Sequence, residues 1–338
     1  MDNYYRKSIG ASLVLVYLVI VAGALVRMTG SGMGCPDWPK CFGYYIPPTE
    51  ISELQFQENR HYESGQVIIV DEKLFVAAKD FTSSASFRES DWKPYTKHDY
   101  AIFNPVHTWI EYLNRLLGAL SGLAVLLMTV FSFLSRRQVK EKLLTVVTLF
   151  LMGFQAWIGA TVVYSVLNPI KITIHMLVAL LIVGLLFTLY HRAQEQRTFS
   201  VSVPKWITGL ALALTLLQIA MGTQVRQFVD EQVKGLGIEP VSQLLHDGPS
   251  IVLIHRSFSI LVFALAIYLF VKLKNTGLKN LAIWQLFIVG AEVFTGILMY
   301  YVDFPFGSQT LHLVFAALLF GCYYLITLRA KVVTPTIS

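Results

Sequence analysis

The 338 residues are 55% hydrophobic and only 14% charged, with a mean hydropathy of +0.57. Soluble domains carry about 25% charged residues, so this chain has too few charges to coat a soluble surface of its size. The net charge of +6 invites a nucleic-acid reading, but the placement of the charges along the chain excludes it.

The first apolar block, at roughly 9–28, follows Arg6 and Lys7. It is long, and no clear small-residue cleavage site precedes Arg27. It therefore reads as a retained helix rather than a signal peptide. Seven more blocks follow at roughly 110–134, 142–164, 172–190, 206–225, 251–271, 281–301 and 309–328. Each is near the length that spans a bilayer core, about 20 residues. Only helices or closed barrels satisfy their backbone in lipid, and strict two-residue alternation is absent. The expected fold class is all-α integral membrane, with eight transmembrane helices.

The basic residues mark one side. Arg136, Arg137, Lys140 and Lys142 fill the connection from span two to three; Arg192, Arg197 and Lys205 that from four to five; Lys272, Lys274 and Lys279 that from six to seven. Arg329 and Lys331 follow the last span, while the alternate short loops hold little beyond Lys171, Arg226 and Lys234. By the positive-inside rule both termini are cytoplasmic, the expected location is the cell inner membrane, and lipid rather than a polyanion is the partner. On the outer side a loop from about 30 to 107 is too long to be a plain connection. Its segment 66–81, "QVIIVDEKLFVAAKDF", has some strand character.

The spans read as a four-helix unit written twice. Gly23 to Arg27 at the end of span one matches Gly222 to Arg226 at the end of span five, and Asn114-Arg115 matches His255-Arg256. Gln155, Gly159, Tyr164 and His175 match Glu292, Gly296, Tyr301 and His312 at one constant offset of 137. Two four-span halves, about 1–200 and 201–338, would be parallel repeats, their pseudo-two-fold axis along the membrane normal.

Ionisable groups at membrane depth are costly and mark cavities or bundle interiors. His175, His255 and His312 lie near the outer ends of three different spans. Imidazole is a common heme-iron ligand, and two rings from two helices of one half could clamp a porphyrin; a satisfied hydrogen bond is the plainer alternative. Arg27, Arg115, Arg226 and Arg256 suit propionate carboxylates or simply snorkel to the interface. Glu111 lies three residues before Asn114, on the same helix face, and the matching position of the second half is Val252. The second half is therefore expected to hold two histidines and no acid, which suits a resident cofactor. The first holds one histidine, an amide and an acid, which suits an exchangeable ligand. Glu111 would act as acid/base or charge stabiliser, or only pair with Arg115.

The motifs "GALVRMTGSGMGCPDWPKC" (23–41), "WIEYLNRLLG" (109–118), "QAWIGATVV", "LQIAMGTQVRQFVD" (217–230), "HRSFS" (255–259) and "GILMYY" together resemble heme A synthase over essentially the whole chain. The resemblance implies a heme b cofactor on His255 and His312, a heme O substrate in the first half, and an essential Glu111. It implies oxidation of the C8 methyl in two steps to a hydrate that loses water, leaving a formyl group. Heme O synthase and terminal-oxidase assembly factors are the partners that go with it. One residue departs from the family pattern: Asn114 stands where a histidine is usual. His175 is then the substrate-heme ligand, with His107, one to two turns before Asn114, as a candidate second.

Cys35 and Cys41 face the outer side, where disulfides persist, and two prolines between them favour a tight turn. A zinc site would need more ligands nearby. A disulfide over the first-half cavity is expected, as a staple or a redox relay; Cys322 in the last span is packing. Two rivals share some of these features. A diheme b-type electron carrier would use the histidines without needing an acid, and a repeat-built transporter would need helices broken at mid-depth.

Overall fold

The computed structural model describes residues 1–98, 100, 102–194, 197–236, 241–246 and 248–332. Among them, eight helices are long and apolar enough to cross a membrane. They are α1 (Asp2–Met28), α2 (Pro105–Leu134), α3 (Val139–Tyr164), α4 (Pro169–Ala193), α5 (Lys205–Leu236), α7 (Ser250–Leu273), α8 (Lys279–Tyr301) and α9 (Ser308–Arg329). A short helix, α6 (Val241–His246), lies between α5 and α7. The protein is an all-α, multi-pass membrane protein. Its helices turn large apolar side chains outward, such as Phe150 at 69% and Ile260 at 71% exposure, which only lipid tolerates. Tyr4, Trp206 and Trp284 are exposed near the ends that share a side with the N-terminus, the level at which amphipathic rings settle.

Helix starts follow local chemistry. α2 and α4 each open with proline at the first helical position and an asparagine cap: Asn104 accepts from the Val106 and His107 N–H groups, Asn168 from those of Ile170 and Lys171. Proline lacks the N–H that would be orphaned there, and the cap satisfies the next ones. α5 runs past the apolar block at 206–225 to Leu236. Arg226 and Asp230 are thus helical, while the side chain of Lys234 lies outside the described residues.

The packing partners of the two sets of four helices correspond. α1 packs on α2, α2 on α3, α3 on α4 and α1 on α4; likewise α5 packs on α7, α7 on α8, α8 on α9 and α5 on α9. The sets meet where α4 crosses α9, and the contact is reciprocal. A Cβ on Gly184 of α4 would lie 3.2 Å from the Tyr324 ring of α9, and one on Gly321 of α9 would lie 2.8 Å from the Phe187 ring of α4. Glycine leaves room for a ring on the opposite helix, as small residues do at membrane-helix interfaces. The Tyr324 hydroxyl adds a 2.9 Å hydrogen bond to Thr188. Gly184 with Phe187 and Gly321 with Tyr324 are again 137 residues apart. The same offset recurs in the connections. Val166 and Leu167 between α3 and α4 have φ of 52° and 62°, and Asp303 and Phe304 between α8 and α9 have φ of 57° and 53°. On the opposite side, strand β6 (Phe199–Val201), after α4, pairs in parallel with β7 (Ala330–Val332), after α9.

The loop between α1 and α2 is a folded domain on the side of the bundle away from the N-terminus, called the outer domain below. β2 (Val67–Val70), β3 (Lys73–Ala77) and β5 (Trp92–Pro94) form an antiparallel sheet, and β1 (His61–Tyr62) pairs with β4 (Phe81–Thr82). The strand character of 66–81 thus resolves into β2, β3 and the start of β4. Asp71 and Glu72, both at positive φ, make the tight β2–β3 hairpin whose backbone twist matches the strands. One face of the domain packs Cys35, Cys41, Phe42, Leu54, Val67 and Leu74 together, the other Tyr62, Ile68, Ala77 and Trp92. Ile68 is fully buried, so Ile68→Ala should destabilise this domain by about 2–4 kcal/mol. The check is limited proteolysis against temperature: cleavage within 50–95 should begin at a lower temperature while the helical fragments stay intact.

Candidate functional site

In the second half, His255 of α7 and His312 of α9 lie edge to face, with ring centroids 6.3 Å apart and planes at 73°. A metal held by both would need two metal–nitrogen bonds of about 2 Å and roughly 1.2 Å from each nitrogen to its ring centre, or about 6.4 Å in all. The spacing fits a shared ion between the two rings. Each ring has room because its neighbour helix presents a glycine: a Cβ on Gly222 would lie 3.2 Å from His255 Cε1, and one on Gly296 would lie 3.8 Å from His312 Cε1. The Gln218 side chain of α5 donates to the His255 carbonyl at 2.8 Å.

These rings line a cavity of about 480 Å³ whose walls are mostly apolar, with Arg27, Arg226, Arg256, Glu292 and Tyr300 among its polar points. That is within the usual size of ligand pockets, about 300–1,000 Å³. Asp230 sits between two of the arginines, 2.6 Å from Arg226 and 3.5 Å from Arg27. The Nε atoms of both arginines are buried without a hydrogen-bond partner among the described residues. Arg256 is exposed and lies over the Tyr300 ring, 5.0 Å from its centroid.

The first half repeats the glycine contacts with other side chains. Gly159 of α3 faces His175 of α4 (Cβ to Cε1 3.5 Å), and Gly23 of α1 faces Asn114 of α2 (3.9 Å to Oδ1). Gln155 donates to the His175 carbonyl at 2.8 Å. His175 Nδ1 and Asn114 Oδ1 are both buried and lack a partner among the described residues. His107 is half-buried in the first turn of α2, where the Asn104 cap takes its N–H.

Over this half the outer domain is docked by its disulfide-closed loop, 35–41. Cys35 and Cys41 form a disulfide. Arg115 donates to the carbonyls of Asp37 (2.7 Å), Lys40 (2.9 Å) and Cys35 (3.4 Å), and to Glu111 Oε1 (2.5 Å). Glu111, 4% exposed, accepts the Cys35 N–H on its other oxygen at 2.9 Å. The Pro36 carbonyl takes Tyr95 and His98, and the Trp38 carbonyl takes Tyr164 of α3. Gly34 packs so closely on the His107 backbone that a Cβ would lie 2.5 Å from its carbonyl oxygen. Within the loop Asp37 accepts from Phe42 (2.6 Å) and Gly43 (2.8 Å). Burial pushes its carboxyl above the usual carboxylate range, against those bonds and the Arg115 charge.

The family model described as cytochrome oxidase assembly protein, COX15-CtaA, matches residues 7–81 and 81–324. The chain belongs to the COX15-CtaA family. Among its relatives, the heme A synthase of Wolbachia pipientis is 25% identical over 95% of this chain and 92% of its own length. That of Rickettsia canadensis is 23% identical over 96% and 98%. That of Shewanella oneidensis is 28% identical over 62% of this chain and 52% of its own.

In this family member the geometry corrects three expectations. The second half does hold an acid: Glu292 Oε2 lies 3.0 Å from His312 Nδ1. It projects from α8 rather than from the helix matching Glu111, so comparing only Glu111 with Val252 misses it. Arg27, grouped by sequence with the first half, lines the second-half cavity because the last turn of α1 reaches Asp230 of α5. Arg115, offered as a propionate partner, already spends its fork on four acceptors. Asp230, Thr295 and Gln218 were not singled out as site residues; the offset of 137 pointed to Glu292, but as a landmark only.

Arg115→Ala should leave the buried Glu111 carboxylate unpaired and three loop carbonyls without their donor. A broken buried pair typically costs 3–5 kcal/mol. A thermal scan of the purified protein, with proteolysis at 35–45 as a local readout, should show both a lower melting temperature and a newly cleavable loop. Arg115→Lys should restore only part, since one ammonium cannot replace the planar fork.

Proposed function

We propose that this protein is a heme A synthase. The observation that carries the reading is the pair of imidazoles, His255 and His312, whose ring spacing of 6.3 Å would admit one iron between them, on the wall of an apolar cavity. Relatives that bear the name heme A synthase along nearly their whole length support it. The chain is then read as two parallel four-helix halves, 1–200 and 201–338, about an axis along the membrane normal through the α4–α9 crossing. The inner membrane, with both termini cytoplasmic, follows from the basic connections.

In this reading the second half would keep a heme b cofactor, which His255 and His312 would hold by its iron and Arg226, Arg256 and Arg27 by its propionates. When bound, the heme supplies one-electron chemistry. The substrate, heme O, enters the first half, with His175 as its iron ligand. An amide such as Asn114 is a poor iron ligand, so His107, half-buried a turn or two away, would be the candidate for a second one. Oxidation of the C8 methyl to a hydrate and loss of water give the formyl group of heme A. Glu111 works beside this site. Both of its oxygens are already engaged by the Arg115 guanidinium and the Cys35 N–H, an arrangement better suited to stabilising developing positive charge than to shuttling a proton. The disulfide loop holds that carboxylate in place and covers it from the outer side. Heme O synthase and terminal-oxidase assembly factors are the natural suppliers and consumers.

Expression with heme O supplied, followed by a visible spectrum and pigment extraction, tests the reading. A bis-imidazole b-type spectrum and heme A in the extract are expected; a colourless preparation from heme-replete cells defeats it. His255→Ala and His312→Ala should each lose the bound heme b. Glu111→Ala should keep the heme and lose heme A formation by at least 10²-fold, the scale of a removed electrostatic stabiliser. Gly222→Leu should act like His255→Ala, since its side chain would occupy the space that the His255 ring now fills.

A further inference from the structure

The two halves also differ at one pair of positions 137 residues apart, Gln155 and Glu292. Gln155 reaches past the His175 ring to its backbone carbonyl, and the ring's Nδ1 is left buried without a partner among the described residues. Glu292 instead closes on the ring itself. His312 Nδ1 lies 3.0 Å from Glu292 Oε2, 3.1 Å from the Glu292 carbonyl and 3.0 Å from Thr295 Oγ1. The Thr295 hydroxyl donates to the carbonyls of Ala291 and Glu292, so toward the ring it is an acceptor. A backbone carbonyl can only accept. With three acceptors around it, Nδ1 carries the hydrogen, and Nε2 is the nitrogen with a free lone pair. His255 has no such support, since its Nδ1 is buried without a partner among the described residues.

We propose that Glu292 is a positioning residue that makes His312 the strong, permanent axial ligand and so decides which half retains its heme. The proposal rests on the reading of His255 and His312 as heme ligands. A ligating imidazole whose other N–H is given to a carboxylate is fixed in tautomer and orientation and becomes more basic at the ligating nitrogen; losing such a partner typically costs 10–100-fold in metal affinity. A more electron-donating ligand also favours the oxidised iron. The unsupported His175 is then the histidine of the exchangeable site, and the asymmetry between cofactor and substrate lies in the 155/292 pair as much as in Glu111.

The test uses full-length protein purified with its heme. Transfer of heme to excess apomyoglobin should be 10–100-fold faster in Glu292→Gln than in the wild type. The midpoint potential should rise, with the oxidised-to-reduced ratio at fixed potential falling about tenfold, or 59 mV for one electron. A purely structural role would not move the potential at an unchanged bis-imidazole spectrum. Glu292→Asp should recover part of both values. If Glu292→Gln binds no heme, Thr295→Val carries the test, with smaller changes in the same directions. Unchanged transfer rate and potential in the variant that keeps its heme overturn the proposal. A wild-type preparation without heme instead overturns the heme reading on which it rests, so the two failures are distinct.

Discussion

The reciprocal crossing of α4 and α9 is the contact from which the arrangement of both sites follows. Gly184 admits Tyr324 and Gly321 admits Phe187, so the two helices lock by the same move made in both directions, as in an isologous interface. His175 and His312 each precede the crossing glycine of their own helix by nine residues. At 1.5 Å per residue both rings stand about 13 Å outward of it. Neither half can slide relative to the other without a ring meeting backbone, which fixes the two imidazoles at one depth. A hydrocarbon interior gives no hydrophobic drive for such docking, and close packing with a few hydrogen bonds must suffice.

Above that crossing the two sets of helices carry different polar groups. The first half is roofed by a water-facing domain whose tied loop gives up the carbonyls of Cys35, Pro36, Asp37, Trp38 and Lys40 to side chains. A loop so fully captured behaves as part of the helix it sits on. Among the described residues, the connection from α5 to α7 in the second half holds the short helix α6, and Glu292 and Arg226 turn inward, toward His312 and Asp230.

The helices, their order and the histidines at the outer ends were legible because lipid imposes a length and a composition on every span. The constant offset of 137 was legible in four landmarks, yet Gly184, Phe187, Gly321 and Tyr324 escaped notice. They are ordinary residues in apolar runs, and only their contact gives them meaning. Sequence position places Arg27 in the half that encodes it, whereas a residue at the end of a helix belongs to whatever that end leans on. Arg115 looked like a free cation because its acceptors are main-chain oxygens, which leave no trace in side-chain identity. The outer domain was harder still. Its strands are two to five residues long, too short for alternation to stand out.

The paired left-handed corners, Val166-Leu167 and Asp303-Phe304, contain no glycine, although such a backbone costs an ordinary residue roughly 1–2 kcal/mol. Leu167 rests on the outer domain at Gly32, and Phe304 lines the cavity, so each corner is pinned by its own side chain. From corner to histidine is eight residues in both halves, Leu167 to His175 and Phe304 to His312. Since each helical residue turns the chain by about 100°, these corners work as phase locks: they set the azimuth at which α4 and α9 leave the turn. A single residue inserted between corner and histidine would swing the imidazole by about 100°, away from its slot toward lipid, while lengthening the segment by only about 1.5 Å.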